Sequence, residues 1–445
     1  MRIRGFLFLI CISVGSCDDR AAGNTNTIIS GRILERTDSS SLFIRAYGQE
    51  LDYSLPIYLD TLETKNDGTF FSTLKLERAS EIVIENDNVF LMFYLESQDS
   101  IYFEATEGYL PELRNYTGRG SEKLEVFNEI NPKFSFQDYK VLDSLEIMNT
   151  YLDQLREYQI LIDRIKDQFS EDFVNYVTAQ MTYANFHFSN VFPWFYADGG
   201  RSFSFVDSLV SKSRDDLVKE ARHGVQSHDY AEDLLYVVLS RYDTISSKTD
   251  FGEYEYYMET VETLELDSAG YEKMKALGFW YFLSQGLAPQ IKNDLEAYLV
   301  HNISYREVLT AELDAWMKLA PGNPAPNFSA IDNHGNPFQL SDLKGAVIYM
   351  DVWATWCAPC IEEFEYSKAL RKRLSDYAEV EFLYVSIDDN KERWHAFLGR
   401  NLDLQGTHVL SQGDLDSQMA KKYKINGIPR YIIILSLTEA EKLCS

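Results

Sequence analysis

One tetrapeptide restricts this chain more than any other feature: Cys357-Ala358-Pro359-Cys360, set between an apolar run and a helical pattern. Val347-Ile348-Tyr349-Met350-Asp351-Val352-Trp353 reads as a buried strand, Ala354-Thr355-Trp356 as the turn after it, and residues 358 to about 378 as a helix. A helix N-terminus leaves backbone N–H groups unpaired and carries the positive end of the macrodipole, and both stabilise a thiolate. The Cys357 thiol at that terminus is expected to fall from the free value of about 8.5 toward 7 or below. Three residues on is about one helical turn, so the Cys360 sulfur comes within bonding distance of Cys357 while lying further from solvent. Cys357 is the expected attacking thiol and Cys360 the resolving one. Pro359 suits a first helical turn because no N–H is needed there.

The other cysteines narrow the reading. The N-terminus carries Arg2 and Arg4, an apolar run from Phe6 to Val14 and then small residues, which is the pattern of a removable export segment. Val14-Gly15-Ser16-Cys17 resembles the bacterial lipobox, which implies that Cys17 is acylated and begins the mature chain. Cys11 would leave with the export segment, Cys444 stands near the end with no role assigned, and Cys357 and Cys360 remain as one close pair. No stretch after residue 16 approaches the about 20 apolar residues that cross a bilayer. A formal net charge of −27 leaves little material for a basic patch, so nucleic acid is not an expected partner. The seven histidines are scattered and show no His-x-x-x-His spacing, so no metal site is expected.

Between the termini the periodicity changes twice. Residues 26 to 117 carry short apolar or alternating runs, such as Ser41-Leu42-Phe43-Ile44-Arg45, Gly68-Thr69-Phe70-Phe71-Ser72 and Glu81-Ile82-Val83-Ile84, separated by turn clusters such as Lys65-Asn66-Asp67-Gly68. A small sandwich or barrel follows. From about 120 to 319 the period becomes 3.6, with Leu145, Met148, Leu152, Leu155, Ile162, Ile165 and Phe169 along one face. Helices are expected over 138–190, 227–243, 267–299 and 304–319. The aromatic clusters Phe192-Pro193-Trp194-Phe195-Tyr196 and Tyr254-Glu255-Tyr256-Tyr257 are read as helix packing. Ala320-Pro321-Gly322-Asn323-Pro324-Ala325-Pro326 is the clearest boundary in the chain.

Trp353-Ala354-Thr355-Trp356-Cys357-Ala358-Pro359-Cys360, preceded by Ala325-Pro326-Asn327-Phe328 and Leu340-Ser341-Asp342-Leu343-Lys344-Gly345, resembles the TlpA/ResA-type thioredoxin-like family of membrane-tethered oxidoreductases over about residues 322 to 435. Together these readings give a multidomain chain: an export segment 1–16, a lipidated tether 17–25, a β-rich domain 26–117, an α-helical domain 118–319 and, from the resemblance, an α/β thioredoxin-like domain 320–445. It also implies that Cys357 and Cys360 exchange electrons with protein disulfides, with no cofactor beyond their own disulfide, more as reductant than as oxidant. A membrane-bound electron donor and a lipid-anchored place in the cell envelope, facing the periplasm or exterior, belong to the same expectation. Position by position, Trp356 is the ring beside the active thiol. Ile428-Pro429 matches a cis-proline loop facing the disulfide, where the Ile428 backbone pairs with a substrate peptide.

Asp351, six residues before Cys357, stands where thioredoxins keep a buried carboxylate. A desolvated carboxyl there would have a raised pKa and could take the Cys360 proton. Tyr384 falls where thioredoxins carry a lysine beside that group, and Glu363 is read as a solvated helix position. After Leu435 only about ten residues follow, fewer than the family's further strand and helix need. Three other readings of the pair compete with this one. A structural zinc site lacks a second Cys or His pair. A peroxidase lacks the Pro-x-x-x-Thr-x-x-Cys cradle, since Met350 and Ala354 stand at those offsets before Cys357 and Trp353 and Cys357 before Cys360. A non-catalytic binding or scaffold module is opposed by the intact Trp-Cys-x-Pro-Cys.

Overall fold

The computed structural model describes residues 26–36, 41–47, 51, 58–76, 78–109, 111–130, 144–196, 204–242, 252–343 and 345–435. The export segment 1–16, the lipidation residue Cys17, the tether 17–25 and Cys444 lie outside the described residues. The chain divides into two compact units, Met1–Lys275 and Ala276–Ser445.

In the first unit the described strands are β1 (Asn26–Leu34), β2 (Leu42–Tyr47), β3 (Tyr58–Leu62), β4 (Thr69–Lys75), β5 (Ser80–Glu85), β6 (Val89–Leu95), β7 (Ser100–Thr106), β8 (Gly108–Tyr109) and β9 (Arg114–Arg119). They make a four-stranded sheet, β4-β1-β7-β9, and a five-stranded sheet, β3-β2-β5-β6-β8. Alternation decides which side chains go inward: Ile29 and Ile33 of β1, Ile82 and Ile84 of β5, and Ile101 and Phe103 of β7 are all buried in one core. The Lys65–Gly68 cluster forms the turn expected of it, with Gly68 N–H bonded to Lys65 C=O at 2.8 Å. Gly68 sits at φ +81°, and a Cβ there would stand 2.1 Å from the Ile33 carbonyl oxygen, so only glycine fits.

Helices follow: α1 (Glu122–Ile130), α2 (Ser144–Ile165), α3 (Glu171–Tyr196), α4 (Ser204–Lys219), α5 (Ala221–Gly224), α6 (His228–Tyr242) and α7 (Gly252–Thr263). Phe127 of α1, Leu161 and Ile165 of α2, and Phe173, Tyr176 and Val177 of α3 bury into the same core as the strands. The hydrophobic core thus runs across position 118, because the sandwich leaves one apolar face that the first helices cover. In the second aromatic cluster Tyr254 and Tyr257 are buried, and Tyr257 Oη donates to the Met274 carbonyl at 2.8 Å.

The expected helix over 267–299 is two: α8 (Ser268–Gln285) and α9 (Pro289–His301), separated at Gly286, whose φ of +143° ends the first, with Pro289 opening the second. α10 (Arg306–Met317) follows. The division between units falls within α8, so α9 and α10 belong to the same unit as residues 320–435.

In the second unit β10 (Ser329–Asp332) and β11 (Pro337–Gln339) form the expected strand-turn-strand, followed by β12 (Val347–Trp353), α11 (Ala358–Arg373), β13 (Val380–Ser386), α12 (Lys391–Arg400), β14 (Thr407–Leu410), α13 (Gln418–Lys422) and β15 (Arg430–Ile434). The sheet order is β11-β10-β14-β13-β12-β15. β12, β13 and β14 are parallel neighbours and β15 is antiparallel to β12. The central strands are buried on both faces, as continuous apolar runs predict for a sheet covered on both sides. Trp353 and Trp394 are fully buried in this core. α11 stops at Arg373 rather than near 378, with Arg371, Lys372 and Arg373 in its last turn complementing the negative helix end.

Candidate active site

β12 runs out of the sheet centre into Ala354-Thr355-Trp356, and Cys357 caps the helix that follows. Its Sγ accepts a hydrogen bond from the Cys360 N–H at 3.2 Å, and Pro359 occupies the first turn. Cys357 and Cys360 are joined as a disulfide, with Cα atoms 5.3 Å apart. Cys360 is 1% exposed and Cys357 6% exposed, while the neighbouring Trp356 ring is 46% exposed. Both cysteines are thus buried, Cys357 slightly less than Cys360.

The turn is held by a residue that reading the sequence passed over. Asp388, two residues beyond β13, is buried, and its carboxylate accepts from the Thr355 N–H at 2.9 Å, the Thr355 hydroxyl at 2.6 Å and the Ser386 hydroxyl at 2.7 Å. Thr355 lies two residues before Cys357, so its two donors fasten the approach to that sulfur, and Ser386 holds the carboxylate from β13. The available signal was Ile387-Asp388-Asp389 directly after a buried parallel strand, since sites in such sheets collect at the carboxyl ends of the strands.

Asp351 lies on β12 and is 1% exposed. Burial raises its carboxyl from 3.8 to about 7, opposed by the Ser367 hydroxyl and reinforced by the negative charge of Glu363. Ser367 Oγ donates to Asp351 Oδ2 at 3.2 Å, from the face of α11 that also buries Cys360 and Phe364. The spacings of four and three between those helix positions put them on one stripe, and Ser367 was not singled out from the sequence. Glu363, read from the sequence as a solvated position, is half-buried and acts on Asp351 through its charge. Tyr384 is buried and stacks on His408 with ring centroids 4.9 Å apart. The tyrosine hydroxyls nearby rise under the same burial: Tyr349, Tyr384 and Tyr431 are all pushed up, with the Asp351 charge adding to each.

The Ile428–Pro429 peptide is cis. β15 pairs with β12 so that Arg430 faces Val352, which brings the preceding loop to the end of β12 from which the Cys357 turn emerges. Both residues are half-buried. Among the described residues no group of three or more His, Cys, Asp or Glu side chains is placed to hold a metal ion. No described helix is long and apolar enough to cross a membrane.

Residues 320–437 match the Redoxin family. The chain is similar to thiol-disulfide oxidoreductase ResA of Bacillus subtilis (strain 168), with 32% identity over 116 residues, which are 26% of this chain and 62% of that protein. A ResA of Bacillus cereus is 27% identical over 117 residues, 26% of this chain and 65% of the relative. The chain thus spans less than two thirds of the length of these curated relatives. Among solved structures, a thiol-disulfide oxidoreductase described as putative, from Bacteroides vulgatus, shares 38% identity over 26% of this chain and 79% of its own, with a TM-score of 0.24.

Proposed function

We propose, from the match of residues 320–437 to the Redoxin family and their similarity to ResA, that this protein is a thiol-disulfide oxidoreductase that reduces protein disulfides through Cys357 and Cys360. One observation carries the reading: the Cys357 sulfur caps α11 and accepts the Cys360 N–H, so a thiolate formed there meets both a donor and the positive helix end.

In the reducing direction the Cys357 thiolate attacks one sulfur of a substrate disulfide. A Cys357–substrate bond forms, the substrate S–S bond breaks, and the departing thiolate takes a proton from water. Cys360 then loses its proton and attacks Cys357 Sγ, closing the internal disulfide and releasing the second substrate thiolate. Two electrons pass from the dithiol to the substrate, and a dithiol donor restores the pair. Asp351 is the acceptor for the Cys360 proton. Ser367, which donates to Asp351, lies on the same buried stripe of α11 as Cys360. The chemistry asks for no cofactor, since the electrons reside in the sulfur pair. Trp356 shields the active sulfur, and the Ile428 backbone pairs with the substrate chain beside Pro429.

Export and acylation at Cys17 complete the reading, supported by the basic, apolar and small-residue order of the first 17 residues, with a membrane-bound dithiol donor proposed from the family resemblance. Exchange of Cys17→Ser should then release the protein from the membrane fraction. The test of function is reduction of insulin disulfides by the protein and by Cys357→Ser. Loss of activity in the variant is expected, and equal rates would remove the enzymatic reading.

A further inference from the structure

Residues 423–429 join α13 to β15 and carry Ile428 and Pro429, so their shape governs how a substrate chain can be received. Both ends of this loop are fastened by residues that lie before the redoxin match at 320–437. At the first end, Lys424 Nζ meets Glu312 Oε2 at 2.8 Å, with side chains 24% and 13% exposed. The same ammonium lies 5.9 Å from the centre of the Trp316 ring. Trp316 Nε1 in turn donates to the other Glu312 oxygen at 3.0 Å, so the carboxylate is oriented before the lysine reaches it. Lys424 also holds φ +52°, a left-handed conformation that a lysine adopts only where its surroundings favour it. At the far end Arg430 Nη2 donates to the carbonyl of Gln285, the last residue of α8, at 3.2 Å.

Between these two ties Asn426 and Gly427 are exposed, and Ile428 and Pro429 are half-buried. Among the described residues the Ile428 N–H and C=O enter no hydrogen bond of a turn or loop, which leaves them open to an incoming strand. A clamped loop with an open centre is an arrangement for main-chain pairing with an extended peptide, in which a preset backbone lowers the ordering cost of binding.

We infer that residues 285–317 belong to the substrate-reading apparatus: the Glu312–Lys424 pair and the Gln285–Arg430 bond hold the Ile428 loop in the shape that accepts an extended protein segment bearing a disulfide. Glu312, Lys424 and Arg430 are positioning residues, acting through the loop and not on the sulfurs. The inference rests on the disulfide-exchange reading and adds what selects the substrate. A small disulfide offers no chain to pair with Ile428, so it depends on the clamp far less than a protein disulfide does.

The full-length protein is compared with Lys424→Met and Arg430→Met on two probes: insulin with dithiothreitol as electron source, and the small aromatic disulfide 5,5′-dithiobis(2-nitrobenzoate) with protein reduced beforehand and freed of reductant, since dithiothreitol reduces that probe directly. Each variant should lose about tenfold in kcat/KM on insulin, carried by KM, and about twofold or less on the small disulfide. Lys424→Met keeps an unbranched side chain, and Arg430 is half-exposed, so both substitutions leave the core in place. The midpoint potential of the Cys357/Cys360 couple reports whether the domain is intact in each. A charge swap, Glu312→Lys with Lys424→Glu, should recover most of the insulin activity lost by Glu312→Lys alone. Equal proportional losses on the two probes, or no loss on insulin in either variant, would overturn the inference. Absence of Cys357-dependent reduction of either probe by the unaltered protein would instead sink the functional reading beneath it.

Discussion

No cation contributes to the Asp351 carboxyl among the described residues; burial and the Glu363 charge both favour its neutral form, and a single hydroxyl opposes them. In the unfolded chain this carboxyl ionises near 3.8, whereas in the fold it keeps its proton to about 7. Between those values the folded state binds the extra proton, so stability contributed by the neutral group is complete at low pH and declines as pH rises through the window. At about 1.4 kcal/mol per pH unit the decline is of order 4 kcal/mol, and it levels off above the folded pKa. Urea unfolding at a series of pH values from 4 to 8 should show this slope in the unaltered protein and its loss in Asp351→Asn. Identical slopes in the two proteins would mean that the carboxyl is ionised in the fold. The same variant should flatten the rise in closure of the mixed disulfide with pH near neutrality, measured by rapid quench, since the proposed acceptor for the Cys360 proton is gone.

The element that carries the chemistry is a strand, a turn and a helix, and its geometry depends on a second strand. Asp388 reaches from the end of β13 to the Thr355 N–H and hydroxyl and also holds the Ser386 hydroxyl. Asp388→Ala leaves these donors without their acceptor, each costing about 1–3 kcal/mol when buried. Urea titration should show a loss of several kcal/mol, smaller in Asp388→Asn, which keeps one acceptor oxygen. In the first unit, Phe173 of α3 is fully buried against Phe127 and Tyr94, joining helix to sandwich. Phe173→Ala should cost that unit about 3–5 kcal/mol, read as a lower denaturant midpoint. Elements of this kind were unevenly legible in the sequence. β2, β4, β5 and β12 stand where alternation or continuous apolar runs put them, because strand period and burial are written in adjacent residues. α4 was not singled out, and the break between α8 and α9 was overlooked at Gly286, where one backbone conformation outweighs a helical pattern on both sides.

At the scale of the whole molecule, the disulfide lies within the second unit alone. Closing so short a loop restrains the unfolded chain by about 2 kcal/mol. Calorimetry of the protein with and without a thiol reductant should show one transition lowered by about 5 °C and another unmoved, the second belonging to the unit without the pair. A uniform shift of all unfolding would show the two units to unfold together. The sequence by itself determined the reactive pair, the helix end that Cys357 caps and the strand that delivers it, because each depends on residues within a few positions of one another. Asp351 and the Ile428–Pro429 loop were also legible, through resemblance to a family whose spacing they keep. Only the tertiary structure decided that Asp388 secures the turn, that Ser367 meets Asp351, and that Glu312 and Gln285 fasten the loop. Those partners are separated by 16 to 145 residues in the chain, and no local periodicity records which distant side chains a packed core brings within hydrogen-bonding distance.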